Sequence, residues 1–243
     1  MGALESRNFP SAPEEAYLKI LERIEASGEQ SRKLAFRTIS WLYHCKRLLT
    51  YLEMREAICD IPFLTEAELE RYGLRRYPSI LEITRCCKSS VVYDESLEVF
   101  RFVHETFKSF LTKALNASES SIAKRHIWSN VFTARTCIKF LDYFDKGDIG
   151  TFGFGGYIQR YWSSHAKGEA ESNDDVQGAI LKCILKKTRS DPATSLDRIR
   201  DRTPEFAIAT GRNETLIHIL AREGLAKLCE TVLGKRYPPT LVN

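Results

Sequence analysis

The sequence lacks the motifs on which many nucleotide-binding and hydrolytic enzymes depend. It contains no Gly-x-x-x-x-Gly-Lys-Ser/Thr segment, and its one Gly-Lys pair, Gly234-Lys235, is followed by Arg236. It also contains no Gly-x-Ser-x-Gly segment and no two histidines spaced His-x-x-x-His. These absences exclude a Walker-type phosphate loop, a nucleophile elbow and a two-histidine metal site on one helix face.

The cysteine spacing, the net charge and the apolar runs do not indicate a disulfide-rich, nucleic-acid-binding or membrane-spanning protein. The seven cysteines are odd in number and none are spaced Cys-x-x-Cys, so neither a disulfide framework nor a zinc site is predicted. Cys86 and Cys87 are adjacent, and we expect their side chains to point to different faces of any regular element. The net charge of +4 is spread thinly, which argues against nucleic acid or an anionic membrane as a partner. No apolar stretch approaches about 18 residues, and residues 1–15 contain no apolar core, so a cytoplasmic protein with reduced thiols is expected.

Apolar residues recur at helical spacing along most of the chain. The spacing predicts helices over 13–27, 31–45, 78–87, 121–145, 157–165 and 176–188, with further short helices over 195–233. A capping box at Thr50–Glu53 is predicted to open a further short helix that includes Met54, Ala57 and Ile58, and a second box is predicted at Thr65–Glu68. Between the helices, residues 91–93 and 97–103 predict a β-hairpin with a turn at 94–96, and a helical stripe follows from Phe107. The glycine-rich segment 147–156 is expected to be a loop, and 168–175 an acidic, exposed connection.

Four helices, a hairpin and a further helix are the order of elements in a winged-helix module with flanking helices. We therefore expect a mainly α fold: a winged-helix domain over 1–115, a helical region over 116–190 and a last helical segment over 191–243. In a DNA-binding winged helix the helix before the hairpin enters the major groove. Here Arg85 is the one positively charged residue of that helix, and the negative charge of Glu82 offsets it. DNA binding is therefore disfavoured.

Two other candidate sites fail on their residues. A dinucleotide fingerprint beginning at Gly153 would require glycine at the position of Ile158. The paired carboxylates Asp174 and Asp175 lie in a polar stretch, where little burial is available to shift their pKa values. No catalytic residue and no metal ligand is predicted, and an enzyme is not expected.

Several segments, in this order, resemble the winged-helix region that follows the NACHT nucleotide-binding domain in fungal STAND proteins, the NOD-like receptors of fungi. The same winged helix is associated with proteins described as GPI inositol-deacylase-like. The matching segments are EEAYLKILERIE, AFRTISWLYHCKRLLTYLEMREAI, ILEITRCCKSSVVYDES and VFRFVHETFKSFL, which together span about 14–115. A fainter likeness continues through 137–141 and 157–165.

The resemblance implies a role for one histidine. His104 lies in Phe102-Val103-His104, where a histidine of the family contacts the β-phosphate of ADP in the closed state. An imidazole donor aimed at a phosphate would let the winged helix sense the bound nucleotide. The alternative is that His104 caps the helix that it begins. No cofactor is expected in this chain, and ADP or ATP is expected only in a full-length parent.

The C-terminal segment resembles part of an ankyrin repeat. Thr215, Leu216 and His218 follow the Thr-Pro-Leu-His-x-Ala signature, with Leu216 in place of proline and Leu220 in place of alanine. One repeat cannot bury its own apolar face. The segment is therefore expected to begin a truncated array or to form a degenerate cap.

These expectations define one main hypothesis and two alternatives. The chain is interpreted as a fragment of a NACHT-type STAND signalling protein, in which it relays nucleotide state to a C-terminal repeat sensor. Its expected partners are a NACHT domain and ankyrin-type repeats, in cis or in trans. The alternatives are a remnant of a hydrolase or NTPase whose catalytic domain lies upstream, and a winged-helix DNA-binding protein.

Overall fold

Helices dominate the part of the chain that can be described. A computed structural model describes residues 13–59, 77–117, 121–144, 153–189 and 216–234. Within these residues the sheet structure is a single antiparallel hairpin. The expected mainly helical class with a small β-hairpin is therefore confirmed.

The described residues form eleven α-helices, one 3₁₀ turn and two strands. In chain order they are α1 (Pro13–Glu25), α2 (Glu29–His44), α3 (Tyr51–Cys59), α4 (Ile80–Cys86), β1 (Val91–Asp94), β2 (Val99–Phe102), α5 (Glu105–Asn116), α6 (Ile122–His126), α7 (Asn130–Phe144), α8 (Phe154–Ala166), a 3₁₀ turn (Ala170–Ser172), α9 (Asp174–Arg189), α10 (Leu216–Arg222) and α11 (Ala226–Gly234). None of these helices is both long enough and apolar enough to cross a bilayer.

The described residues divide into two compact units. The first contains residues 13–51, 78–117 and 121–127, and the second contains the remainder. Helix α3 is continuous across the division, with Tyr51 in the first unit and its other residues in the second. The division into segments at 115 and 190 stays a prediction.

The first unit is built around the apolar stripes of its helices. Each of α1, α2, α4 and α5 buries the residues that recur at helical spacing, and the hairpin adds two more. The buried apolar residues are Leu21, Ile24, Ala35, Phe36, Ile39, Trp41, Leu42, Leu49, Ile83, Cys86, Cys87, Val91, Phe100, Phe107, Leu111, Ala123 and Ile127.

The hairpin is shorter than the sequence predicts. β1 pairs with β2 in the register Val91↔Phe102 to Asp94↔Val99, and residues 95–98 form the turn. The second strand therefore begins at Val99 and not at Leu97, because Glu98 takes a positive φ of 54° that ends the extended chain. Beyond β2, Thr50 forms an isolated antiparallel bridge with Val99.

Helix α4 begins later than predicted. The expectation placed Pro78 in the first turn of a helix over 78–87, but the helix starts at Ile80 and Ser79 is its N-cap. The Ser79 hydroxyl accepts a hydrogen bond from the Glu82 N–H, while the Glu82 carboxylate accepts one from the Ser79 N–H at 2.8 Å. This reciprocal capping box satisfies two amide donors and sets the start of the helix.

The helix predicted over 121–145 is two helices. α6 ends at His126 and α7 begins at Asn130, with residues 127–129 between them. Ile127 leaves the helical conformation at φ −75° and ψ 123°. The Ser129 carbonyl then accepts hydrogen bonds from the N–H groups of Phe132 and Thr133, which starts α7 anew. Ser129 and Asn130 have side chains that can hydrogen-bond to the nearby backbone and so favour a new helix start over continuation of α6. The spacing of apolar residues alone did not reveal this break.

The second unit packs α8 and α9 against α7. Buried residues on α7 and α8 include Phe140, Phe154 and Tyr157, whose rings contact one another in sequence. The Asn130 side chain donates hydrogen bonds to the carbonyls of His165 and Lys167 at 3.0 and 3.1 Å. These carbonyls lie at the end of α8, so Asn130 satisfies acceptors that the helix itself leaves free.

Two further boundaries in the second unit differ from the predictions. Helix α8 starts at Phe154, so Gly155 and Gly156 belong to the helix and not to the expected loop. The connection expected to be acidic and exposed contains the 3₁₀ turn, in which Glu171 is buried. Residues 60–76, 145–152 and 190–215, which include the predicted box at Thr65–Glu68, lie outside the described part of the chain.

Candidate functional site

His104 lies at the junction between the hairpin and α5. It is the N-cap residue of α5, in an extended conformation at φ −133° and ψ 139°, and its side chain makes no capping hydrogen bond. The preceding residue, Val103, donates its N–H to the Ser90 carbonyl at 3.0 Å, and the His104 carbonyl accepts the N–H of Phe107. The backbone around His104 is thus fixed on both sides, while the imidazole is exposed.

Aromatic packing holds the start of α5 beneath His104. Phe107 is buried, and its ring contacts those of Tyr17, Phe102 and Phe110 at centroid distances of 5.1, 5.3 and 6.1 Å. The Tyr17 hydroxyl and the Thr106 hydroxyl form a hydrogen bond of 2.6 Å. Edge and offset contacts of this kind add to the apolar burial and restrict movement of the helix start. The residues next to His104 at the start of α5 are therefore packed against α1 and the hairpin.

The hairpin turn is acidic and apolar. One oxygen of Asp94 accepts hydrogen bonds from the Ser96 hydroxyl and the Leu97 N–H, and the other accepts from Arg101 at 3.1 Å. These hydrogen bonds, led by that of Ser96, lower the pKa of Asp94. Leu97 is 64% exposed at the tip of the turn.

Two exposed carboxylates, those of Glu95 and Glu98, complete the turn. Partial burial, and then the charges of Glu98 and Glu95, raise the pKa of the Tyr93 hydroxyl. The hairpin therefore presents net negative charge around an exposed leucine.

The outer face of α4 carries little positive charge. Leu81 is 55% exposed, and Glu82 and Arg85 are exposed beside it. Because the Glu82 carboxylate is held at the start of the helix by Ser79, it remains on this face. A DNA-binding helix supplies basic and amide groups to the phosphates and bases. Together with the acidic turn, this face is poorly suited to a polyanion.

The glycine-rich segment ends at a helix N-terminus that already holds an anion. Gly153 is the N-cap of α8 with φ +87°, and the Phe154 N–H donates a hydrogen bond of 2.9 Å to the Glu56 carboxylate. A Cβ added at Gly153 would lie 2.3 Å from one oxygen of Glu56. Glu56 is buried, and this desolvation raises the pKa of its carboxyl group. The carboxylate takes the place that a phosphate would take at such a helix start.

The C-terminal helices α10 and α11 form a tight pair. Gly224 has φ +70°, and the N–H groups of Gly224 and Leu225 donate to the carbonyls of Ala221 and Leu220 at the end of α10. Leu216 and Leu220 are buried, whereas His218 is exposed. Thr215, the first residue of the ankyrin-like segment, lies outside the described residues.

A buried carboxylate also holds α11. The Glu171 side chain accepts the N–H of Leu228 at 3.2 Å, and the neighbouring Ser172 hydroxyl accepts from Lys227 at 2.7 Å. Neither Glu56 nor Glu171 was predicted to have a role, because each partner lies far away in the sequence. The sequence offers Glu56 only its place beside Ala57 and Ile58, and Glu171 lies in a polar stretch that gives no sign of burial.

The cysteines and carboxylates do not form a larger ligand cluster in the described residues. There, no group of three or more His, Cys, Asp or Glu side chains is arranged to hold a metal ion. The seven cysteines, all of which lie in the described residues, form no disulfide, and five of them are buried. Cys86 and Cys87 do not share a regular element, since Cys87 is the C-cap of α4, and their sulfur atoms lie 3.9 Å from each other. Asp174 and Asp175 are exposed, as predicted.

Comparisons with known proteins do not assign the chain to a family. No family model, no curated protein and no solved structure matches the chain.

Proposed function

We propose that this chain is a non-catalytic regulatory module of a NACHT-type STAND protein. In this proposal a winged helix reads the nucleotide state of a NACHT domain and relays it to C-terminal repeats. The observation that carries the proposal is the presentation of His104, an exposed imidazole on a backbone fixed by the hairpin and by α5. Its ring is free to donate to a phosphate of ADP bound in the partner domain. The cytoplasm is the expected location.

The elements of the first unit support the winged-helix interpretation. Helix α4 packs on α2 and leads directly into the hairpin, and Thr50 lies beside β2 as a short third strand would. This order is the one expected from the resemblance. The tight pair α10–α11, with its glycine turn and buried leucines, supports the ankyrin-like interpretation of the C-terminal segment.

The charge on the first unit favours a protein partner over DNA. Glu95 and Glu98 surround Leu97 on the turn, and Glu82 lies beside Leu81 on α4. Mixed apolar and acidic surfaces are compatible with protein contacts, whereas binding to DNA depends on neutralising phosphates.

The proposal can be tested by calorimetry with a recombinant NACHT domain of a fungal STAND protein. We expect the chain to bind the ADP-loaded domain more tightly than the same domain loaded with a non-hydrolysable ATP analogue. His104→Ala should weaken binding to the ADP form about 10- to 100-fold, since a hydrogen bond to a charged group contributes about 1.5–3 kcal/mol. His218→Ala is the matched control, because this exposed histidine lies on α10.

Two results would contradict the proposal. One is equal affinity for the two nucleotide forms with no effect of His104→Ala. The other is salt-dependent binding to a 20–30 base-pair duplex of roughly micromolar strength, which would favour the DNA-binding alternative.

A further inference from the structure

The end of α4 places two thiols side by side. Cys86 is the last residue of the helix and Cys87 is its C-cap, at φ −76° and ψ 3°. Adjacent side chains on a regular helix diverge by about 100°. Here the chain leaves the helix at Cys87, and the two sulfur atoms lie 3.9 Å apart.

The turn after Cys87 fixes this arrangement. Lys88 and Ser89 both adopt the left-handed conformation, with φ of 50° and 68°, which is uncommon for residues other than glycine. The Cys87 carbonyl accepts hydrogen bonds from the N–H and the hydroxyl of Ser90, at 3.0 and 2.7 Å. The Cys86 thiol donates to the Ile83 carbonyl at 3.0 Å. The backbone therefore holds the pair before any ligand is present.

The spacing of the sulfurs suits a ligand bound by two thiolates. A tetrahedral ion with Zn–S bonds of about 2.3 Å requires two sulfurs about 3.8 Å apart, close to the separation of 3.9 Å observed here. No third His, Cys, Asp or Glu joins the pair among the described residues. A tetrahedral metal would thus keep only half of its ligands, whereas an arylarsenical, in which the aryl group is the third substituent, needs two sulfurs.

We propose that Cys86 and Cys87 form a chelating dithiol site for soft, thiophilic centres that require two sulfur ligands, with trivalent arylarsenicals as the class whose two remaining valences match the pair. This inference does not depend on the function proposed above. Binding of phenylarsine oxide breaks two S–H bonds and forms two As–S bonds. The oxygen leaves as water with both thiol protons, and arsenic stays trivalent, so no oxidant or reductant is required.

Burial determines how the site is reached. Cys86 is 6% exposed and Cys87 is fully buried, so a ligand can enter only when the structure around the pair opens locally. Burial also raises the pKa of the Cys87 thiol, and the adjacent Cys86 adds to this effect. Thiolates are the reactive form, so capture should be slow near neutral pH and faster as the pH rises.

The test measures phenylarsine oxide binding to the full chain by intact mass spectrometry. We expect one adduct per chain that survives excess 2-mercaptoethanol and is released by 2,3-dimercaptopropanol. Cys86→Ser and Cys87→Ser should each weaken binding about 10²-fold or more, because the second As–S bond is then lost. Cys45→Ser and Cys229→Ser, at half-buried lone thiols, should leave binding unchanged.

Peptide mapping of the wild-type adduct keeps the test decisive if Cys87→Ser fails to fold. The expected result is arsenic on the peptide that contains both Cys86 and Cys87. An adduct mapped to other cysteines would overturn the proposal. So would the absence of an adduct after prolonged incubation, or equal affinity in Cys86→Ser.

Discussion

The two units use a glutamate to hold helices together in opposite ways. In the first unit, Glu25 at the end of α1 contacts His126 of α6 at 2.5 Å and Arg125 at 3.5 Å, near the solvent. In the second unit, Glu56 of α3 is buried and accepts the Phe154 N–H at 2.9 Å. One carboxylate is paired with side chains, and the other with a backbone amide.

The pKa values follow the environment of each carboxylate. Desolvation alone would raise the pKa of Glu25, but the hydrogen bond and charge of His126, followed by Arg125, hold it below its ordinary value. Desolvation dominates at Glu56, and the Phe154 amide only partly offsets it, so the pKa is raised. Glutamate thus joins helices of one unit through contacts with basic side chains, and helices of the other through a buried hydrogen bond to a backbone amide.

The largest expected effect is that of Gly153→Ala. The new Cβ would lie 2.3 Å from Glu56 Oε1 and would force a residue with a side chain to adopt φ +87°. We expect a loss of about 3 kcal/mol in the free energy of unfolding, from strain together with displacement of the carboxylate. Urea unfolding monitored by circular dichroism measures this loss.

Gly156→Ala is the matched control. Gly156 lies within α8, is exposed, and has no atom within 4 Å of an added Cβ. Alanine should stabilise the helix by about 0.5–1 kcal/mol. If both variants lost the same stability, the tight contact between Gly153 and Glu56 would not be a feature of the folded protein.

Substitution of Glu56 should give the next largest effect. Glu56→Ala leaves the Phe154 N–H buried without its acceptor, which should cost about 2 kcal/mol. Glu56→Gln keeps an acceptor oxygen and should cost less. The same unfolding measurement separates the two variants, and equal losses would argue against the hydrogen bond as the cause.

The pH dependence of Glu56 has a definite sign. Because its folded pKa is raised above the ordinary value of 4.5, the unfolded chain releases this proton at lower pH than the folded chain. Its contribution to stability is therefore full below about pH 4.5 and is lost as the pH rises through the folded pKa. Glu56→Gln should remove this decline from the stability profile.

Substitution of Glu25 should have a smaller effect of opposite pH dependence. Its lowered pKa contributes stability that is present above the unfolded value of 4.5 and is lost as the pH falls through the folded value. The carboxylate is partly exposed, so Glu25→Gln should cost about 0.5–1 kcal/mol at pH 7. Unfolding at pH 7 and pH 3 should show the difference shrinking in acid, and a difference that grew in acid would refute the assignment.

His104→Ala should have the smallest effect on stability. The side chain is exposed and makes no capping hydrogen bond at α5, so a change within about 0.5 kcal/mol is expected. A thermal melt provides the check. A loss above about 1 kcal/mol would indicate a structural role for His104, as expected from the capping alternative.

Periodic apolar residues predicted most of the elements. The stripe around Trp41 gave α2, and the run at Val91 and Val92 gave the first strand. These features are local, since each depends on residues a few positions apart. Boundaries were less accurate where a cap competed with apolar spacing, as at Ser79 and Ile127.

The contacts of the candidate sites could be predicted only in part. The position of His104 at the start of α5 follows from the short distance between hairpin and helix in the sequence. Glu56 and Phe154 are 98 residues apart, and their pairing depends on tertiary packing. The short distance between the sulfur atoms of Cys86 and Cys87 depends on the C-cap conformation of Cys87, which cannot be predicted from two adjacent cysteines in the sequence.

Hydrogen exchange of the chain with an ADP-loaded NACHT domain tests the proposed relay most directly. We expect increased protection of the backbone amides of residues 103–108, around His104, with the ADP-loaded domain and less protection with an ATP analogue. His104→Ala should reduce that difference. Unchanged exchange at 103–108 on binding, or the same protection with both nucleotides, would contradict the account.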